Sequence, residues 1–478
     1  MARMAKDKPP KVAPRAASKV APKVAPKVAI VSLGCPKNLV DSEKLLAHLA
    51  EGGCVVGAPM DAADVVIINT CGFIAPAVAE SLDVIAEARR LKAAGKVRRI
   101  VVAGCLVNRL GEGLFDRTAG IDAIIGVNDR DSILSAVLGE QRVARISASP
   151  AAPASDAGRF RLTPTHTAYL RIAEGCSRRC TFCTIPSIRG RFRSKAPATV
   201  LAEARELLTD GAIELNVIAQ DTPSYGRDLA GGDTLAGLLR KLDKLDGVQW
   251  IRLLYAYPMG FDDDLIDAIA SCEHVVPYVD MPLQHIADGV LKRMGRRVTR
   301  KHIERLLVKL RQRVEGLVLR TTFITGFPGE TRGDFEELLS FVRDFDFEAV
   351  GVFPYYPEPG TPAARLPDRP SRSTAERRRQ RLMLTQQDIV FAANEAHVGK
   401  HLRVLVDGKE AGGASIGRHY GQAPDIDSVC ILTSPAEPGR FVDATVVEAD
   451  GYDLVVSPTA VGHEHSVHPK QEEEGHRS

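Results

Sequence analysis

The sequence predicts an α/β protein in three parts: an N-terminal parallel α/β domain, a partial (β/α)6 barrel and a small C-terminal β-barrel. Three observations predict it. Short Val- and Ile-rich runs alternate with helical stretches from Val28 to Phe345, the pattern of parallel strands joined by crossover helices. An Ala-, Pro- and Ser-rich stretch, Ser147–Gly158, interrupts that alternation and reads as a linker. Beyond residue 396 the helical stretches give way to β-rich pieces between Gly and Asp turns, as in a small barrel.

Residues 1–27 carry eight Lys or Arg against Asp7, a net of +7, which leaves −4 for the rest of a chain of formal charge +3. This stretch repeats Lys-Val-Ala-Pro from Lys11, Lys19 and Lys23 and is expected to be a disordered basic tail, too poor in apolar surface to fold. Residues 463–478 read as a second polar tail whose His463, His465, His468 and His476 face solvent. Nine cysteines, an odd number, without a hydrophobic leader argue against a secreted disulfide framework. No apolar run reaches the roughly eighteen residues of a membrane helix. The expectation is a reduced, cytoplasmic protein with no membrane partner.

Residues 28–140 form the first domain. Its strands each run into a cysteine: Val28 to Cys35, Val65 to Cys71 and Ile100 to Cys105. Between them, helices are predicted over Ser42–Glu51, with Asp41 as cap and Gly52-Gly53 as stop, and over Pro76–Ala94, stopped by Gly95. Strand–helix repetition puts successive strand C-termini on one sheet edge, where open α/β folds bind ligands. Cys35, Cys71 and Cys105 are therefore expected to meet as a three-cysteine metal site. The alternative is that they are buried small hydrophobes.

The linker spans 141–161 and the barrel 162–396. Candidate strands are Ala168–Ala173, Glu214–Ala219, Trp250–Tyr255, Tyr278–Met281, Val318–Thr325 and Ala349–Phe353. The helices between them include Thr199–Leu208, Leu235–Leu245, Asp262–Ala270, Lys301–Val314 and Thr331–Phe345, with a linking helix over Arg377–Ala396. The loop after the first strand carries Cys176-Ser-Arg-Arg-Cys-Thr-Phe-Cys183. Most iron–sulfur proteins supply four cysteines, so Cys176, Cys180 and Cys183 leave one iron open to a substrate or cofactor. Zinc and plain packing are the alternatives, but structural zinc wants four ligands and no further Cys or His lies a few residues away. Cys54, Cys272 and Cys430 match no ligand pattern. The same barrel end gathers Gln220-Asp221, Tyr257-Pro258, Pro282–His285 and Gly326–Glu330. His285 reads more readily as a hydrogen-bonded structural residue than as a catalyst. Arg189 and Arg193 could pair with a carboxylate or belong to a solvated loop.

The C-x3-C-x2-C spacing with Thr-Phe before the last cysteine resembles the radical S-adenosylmethionine (SAM) superfamily. The terminal barrel, 397–462, sits where a TRAM domain would. TRAM domains usually bind RNA, yet this one counts nine acids against five bases, a charge that suits a basic protein better than phosphates. From about Val28 to Pro458 the whole order resembles the methylthiotransferase family. Ser32-Leu-Gly-Cys-Pro-Lys-Asn-Leu-Val-Asp-Ser-Glu43, Asn69-Thr-Cys-Gly-Phe-Ile74, Cys183-Thr-Ile-Pro-Ser-Ile-Arg-Gly190, Asp280-Met-Pro-Leu-Gln-His285 and Ala423-Pro-Asp-Ile-Asp427 resemble its ribosomal-protein branch. The transfer RNA branch typically has Gln-Met-Asn in place of Pro36-Lys37-Asn38. Tyr356 departs from the family, which often has Ser there.

The resemblance implies two [4Fe-4S] clusters, one on each cysteine triplet, with SAM on the cluster of Cys176, Cys180 and Cys183. Phe182, Arg189, Gln220 and Gly326 are then the candidate SAM-binding residues. It implies methylthiolation at the β-carbon of an aspartate in ribosomal protein S-twelve, a carbon with little purchase for acid–base or nucleophilic catalysis. A low-potential electron donor such as flavodoxin is implied, and a monomer is expected. The competing functions are methylthiolation of a transfer RNA adenosine and a non-enzymatic iron–sulfur module that binds ribosomes.

Overall fold

In the computed structural model, which describes residues 25–410 and 412–459, the apolar runs become strands of two parallel sheets and a closed barrel. Residues 1–24 and 460–478, which hold nearly all of both predicted tails, lie outside the described residues. Six strands form the first sheet: β1 (Lys27–Ser32), β2 (Val55–Val56), β3 (Val65–Thr70), β4 (Arg99–Gly104), β5 (Ala123–Ile125) and β6 (Val143–Arg145). All pair in parallel, in the order β2-β1-β3-β4-β5-β6. Side-chain alternation splits the core in two. Val66, Ile68, Ile100 and Val102 pack with Ile85 and Ala88 of the Ala75–Ala93 helix. Val65, Ile67 and Val101 pack with Leu45 and Leu49 of the Pro36–Glu51 helix.

Two expectations need correction here. The first helix begins at Pro36, six residues before the predicted start, with Cys35 at its N-cap position. Pro-Lys-Asn has turn chemistry, but proline's fixed φ also suits the first helical position. Asp41 is therefore a buried helix residue and not a cap. The segment read as a linker also contributes β6 to the sheet, and its Asp156 is buried.

The second sheet runs β14-β13-β12-β11-β10-β7, all parallel. Its strands are β7 (Thr167–Arg171), β10 (Glu214–Ile218), β11 (Trp250–Leu253), β12 (Val275–Asp280), β13 (Val318–Thr325) and β14 (Ala349–Pro354). β7 and β14 remain edges, so the barrel is open. The predicted first strand ends at Arg171, and β8 (Ala173–Glu174) turns away to pair antiparallel with β9 (Arg193–Ser194). Leu215, Val217, Ile251, Leu253, Leu319 and Phe323 face the surrounding helices. The opposite face holds Tyr169, Ile218, Trp250, Leu254 and Tyr278, packed with Val40 of the first domain and with Leu405 and Ala423 of the terminal barrel. Both neighbouring domains thus bury apolar groups against the inside of the open barrel. Full burial of one such Val or Leu stabilises by about 1.5–3 kcal/mol.

The linking helix, Arg372–Glu395, starts at a Ser371 cap that accepts the Thr374 amide. Beyond it, β15 (His401–Lys409), β16 (Ser415–His419), β17 (Cys430–Leu432), β18 (Phe441–Asp450) and β19 (Asp453–Pro458) close a barrel. β16 escaped the sequence reading because Ser-Ile-Gly-Arg-His has a single large apolar residue. Its Gly417 lies against β15, where a Cβ would come 2.4 Å from the Leu405 carbonyl. Charge counting also misread this domain's surface. Arg418 is buried against Glu214 (2.7 Å) and Asp407 (2.7 Å). Asp427 accepts from Tyr278 (2.7 Å) and Arg320 (3.1 Å) and so belongs to the interface with the open barrel, and the more exposed Asp425 accepts from Tyr169 there at 3.3 Å.

Candidate functional site

In the order β2-β1-β3, connections leave β1 and β3 on opposite sides of the sheet. Such a switch point opens a crevice at the strand C-termini. Cys35 follows β1, Cys71 follows β3 and Cys105 opens the Cys105–Leu110 helix after β4. Glycine lets the three turns touch. A Cβ on Gly34, whose φ is +91°, would lie 2.8 Å from the Cys71 Cβ, and one on Gly72 would lie 2.8 Å from the Leu106 backbone. The Asn38 amide reaches the carbonyls of Leu33 (2.6 Å), Asn69 (3.2 Å) and Thr70 (3.3 Å), joining the first two turns. Burial pushes the Cys105 thiol up to about 12; Arg189 opposes this while Cys35 and Cys71 add to it. Burial raises Cys71 as well.

The second triplet occupies the loop whose base β8 and β9 clamp. The Cys176 amide donates to Gly190 (3.1 Å), Cys183 to Cys180 (3.2 Å) and Thr181 to Met294 (2.9 Å). Two sulfurs accept amide hydrogens, Cys176 from Arg178 and Cys183 from Ile185, each at 3.4 Å. Burial pushes Cys183 up to about 12 and Cys176 to about 11, and raises Cys180. Metal ligation must therefore displace protons from these buried thiols. Among the described residues no three His, Cys, Asp or Glu side chains stand in a closed coordinating arrangement; the thiols are neighbours on short loops. The donor set fits an iron–sulfur group. Each triplet offers three sulfurs, short of the four ligands of structural zinc, and amide N–H groups already point at two sulfurs of the second triplet.

The two triplets share a border. Phe73 and Ile74, just past Cys71, line a cleft of about 240 Å³ together with Phe182, Gln284, Tyr355 and Glu358. Thr184, next to Cys183, donates to the Phe73 carbonyl at 3.1 Å. Glu358 accepts from the Ala75 amide (2.7 Å) and from Arg109 (2.6 Å) of the first domain. Deeper in, a buried charge network joins the domains. Arg189 contacts Asp41 (2.9 Å) and Glu174 (3.1 Å), and Arg171 contacts Asp41 (2.7 Å), Asp156 (2.6 Å) and Glu174 (2.9 Å). Arg130 and Lys195 pair with Asp156 at 2.8 and 2.7 Å, and Lys195 with Glu203 at 2.6 Å. Four cations thus meet four carboxylates. Burial opposes ionisation of Glu174, but Arg189 and Arg171 outweigh it and hold the carboxyl down at about 2.

The four SAM candidates fall in different places. Phe182 lines the cleft, edge-on to Phe327 at 6.2 Å. Gln220 donates to Glu174 at 2.9 Å and leaves its buried carbonyl oxygen without a partner. Arg189 has its fork filled by Asp41 and Glu174, so in this arrangement it is an interdomain tie and not a free carboxylate receptor. Gly326 has a packing reason: at φ +73°, a Cβ there would meet the Ala375 Cβ at 2.3 Å. Arg193 is buried too and donates to the Pro150 carbonyl at 2.6 Å. His285 is fully buried; its Nδ1 accepts the Ala287 amide, and its Nε2 has no hydrogen-bond partner, with Glu330 4.0 Å away. Sequence reasoning missed Asp41, Glu174 and Arg171 as site-builders. For Arg171 the available signal was a charge at the inward register of an otherwise apolar strand.

The chain matches three family descriptions: "Uncharacterized protein family UPF0004" over residues 27–126, the Radical SAM superfamily over 170–342 and the TRAM domain over 398–458. It is 43% identical to the ribosomal protein uS12 methylthiotransferase RimO of Geotalea uraniireducens, over 89% of this chain and 97% of that one. It is also 43% identical to the protein of the same name from Syntrophus aciditrophicus, over 89% and 96%. Among solved structures, the radical S-adenosylmethionine methyltransferase TsrM from Kitasatospora setae, solved with cobalamin and a [4Fe-4S] cluster bound, superposes with a TM-score of 0.50. It covers 71% of this chain and 77% of its own at 18% identity, a likeness of fold alone.

Proposed function

The chain belongs to the ribosomal protein uS12 methylthiotransferase family, and on that premise we propose that it adds a methylthio group to the β-carbon of an aspartate in ribosomal protein uS12. One observation carries the reading beyond the family: the turn after Cys71 and the loop that holds Cys176, Cys180 and Cys183 border one cleft, joined by Thr184 and Phe73 and braced by Arg189 and Asp41. Two [4Fe-4S] clusters fit this arrangement, one on Cys35, Cys71 and Cys105, the other on Cys176, Cys180 and Cys183. When bound, iron–sulfur and SAM groups supply the one-electron and sulfur chemistry that a carbon without an acidic proton or leaving group requires. The protein's residues hold, orient and exclude. The six cysteines hold the metal sites, and the charge network fixes the distance between them. Phe73, Phe182 and Tyr355 wall the cleft with apolar surface and keep water from competing. Phe182 and the free carbonyl oxygen of Gln220 remain the SAM candidates best placed to contact a ligand.

A low-potential donor such as flavodoxin fits the need for an electron, and cytoplasmic action by a monomer fits a ribosomal substrate. Among the described residues, no helix is long and apolar enough to cross a membrane. The test is anaerobic reconstitution with iron, sulfide, SAM and reductant, followed by mass spectrometry of purified uS12 and of transfer RNA. A methylthio group on one uS12 aspartate is the expected result. A methylthio group on transfer RNA alone would overturn the reading.

A further inference from the structure

The inner face of the open barrel is covered along β7 to β12 and uncovered along β13 and β14. On the covered side, Tyr169, Ile218, Trp250, Leu254 and Tyr278 are buried under the neighbouring domains. On the last two strands, Leu319, Phe323, Val350 and Val352 face the helices. Alternation then puts Arg320, Thr322 and Ile324 of β13, and Ala349, Gly351 and Phe353 of β14, on the inner face. None of these is fully buried, and Phe353 is 51% exposed. They pair in register, Arg320 with Ala349, Thr322 with Gly351 and Ile324 with Phe353. Thr322, Ile324 and Phe353 line the cleft. Arg320, Ala349 and Gly351 line a groove of about 300 Å³, shared with Ile426 and Tyr452 of the terminal barrel, both exposed. From Arg320 to Ile324 this strip is about 13 Å long, and it leads from the groove to the cleft.

Gly351 sits at the middle of the strip without a structural reason. Glycine inside a strand costs stability and often marks the close approach of another backbone or a ligand. Among the described residues, two other glycines lie inside strands, and each has a local reason. Gly417 is pressed against β15, and Gly408 adjoins a register shift between β15 and β16. Gly351 pairs in unbroken register and has no positive φ. A Cβ there would meet the Thr322 hydroxyl at 3.6 Å, the Phe353 ring at 3.7 Å and the Arg320 guanidinium at 3.9 Å, all ordinary contacts. The cysteine loops stand at the strand C-termini, so a group they hold does not fill the groove beside Arg320 and Ala349. Resting on the function proposed above, we infer that the segment of uS12 bearing the target aspartate lies extended over this strip, with its backbone against Gly351. The target is one residue of another protein, so only a projecting segment can carry its β-carbon into the cleft. The exposed apolar surface of Phe353, Ile426 and Tyr452 is what that segment would bury.

The experiment uses the reconstituted protein as wild type, Gly351→Ala and Gly351→Leu. Binding of labelled uS12 is measured by fluorescence anisotropy and binding of SAM by calorimetry, with iron content and urea unfolding in parallel. Gly351→Ala should unfold at a urea concentration no lower than the wild type, because alanine restricts the unfolded chain. Affinity for uS12 should nevertheless fall, by about tenfold or more in Gly351→Leu and by a smaller, measurable factor in Gly351→Ala. Iron content and SAM affinity should stay at the wild-type level. Unchanged uS12 affinity in both variants would overturn the inference. A lower unfolding midpoint or lost iron in Gly351→Ala would give the glycine a structural role, and weakened SAM binding would assign the strip to SAM; either result overturns it too. Absence of uS12 binding by the wild type would count against the proposed function itself, and the inference would fall with it.

Discussion

Arg189 donates to Asp41 at 2.9 Å across the boundary between the two parallel sheets, with both side chains almost fully buried. Asp41 lies on the helix that Cys35 opens, and Arg189 lies six residues beyond Cys183. One ion pair therefore couples the helix behind Cys35 to the loop of Cys176, Cys180 and Cys183. Breaking a buried pair from one side is strongly destabilising because the remaining charge is stranded.

Arg189→Met is accordingly expected to lower unfolding stability by about 3–5 kcal/mol. Arg240→Met, at the exposed pair with Asp264, should cost no more than about 1 kcal/mol. Urea unfolding of the two variants checks the contrast. Equal, small effects would show that the tie does not hold the domains.

Stability should fall on acidification. Burial holds the imidazoles of His285 and His419 down at about 3, against an ordinary value near 6.5. Between those values the unfolded chain binds more protons. The contribution of each histidine is therefore complete above pH about 6.5 and is lost as pH falls toward 3. The slope is about 1.4 kcal/mol per pH unit for each histidine. Glu174 and Glu214, both held at about 2 by their arginine partners against the cost of burial, add a second loss below pH about 4.5. His285→Asn, which can still accept the Ala287 amide, should reduce the slope between about pH 6 and 4 by one proton equivalent in urea titrations. An unchanged slope would mean that His285 does not report this linkage.

Gly72→Ala should damage the first triplet selectively. The added Cβ would stand 2.8 Å from the Leu106 backbone and 2.9 Å from the Cys105 carbonyl carbon, forcing the Cys71 and Cys105 turns apart. Iron per chain is expected to fall from about eight toward about four, with SAM cleavage retained. Full iron content in this variant would show that the close approach of the turns is not needed.

Much of this was legible in the sequence for a physical reason. Apolar runs ending in cysteine announce parallel strands, and β13 was read to the residue at Val318–Thr325. Harder to see was any group whose meaning depends on a partner distant in sequence. Asp41 looks like a helix cap until Arg171 and Arg189, 130 and 148 residues away, are folded onto it. Asp427 looks like a turn residue until Tyr278 and Arg320 reach it. Gly326 looks like a ligand loop until Ala375 fills the space beside it. Local pattern reports local structure, whereas burial of charge is decided by what packs opposite.

Iron analysis of the Cys176→Ala/Cys180→Ala/Cys183→Ala protein after anaerobic reconstitution tests most directly whether two separate metal sites flank the cleft. About four irons per chain are expected, held by Cys35, Cys71 and Cys105, with no reductive SAM cleavage. Loss of all iron from this variant would contradict two separate sites.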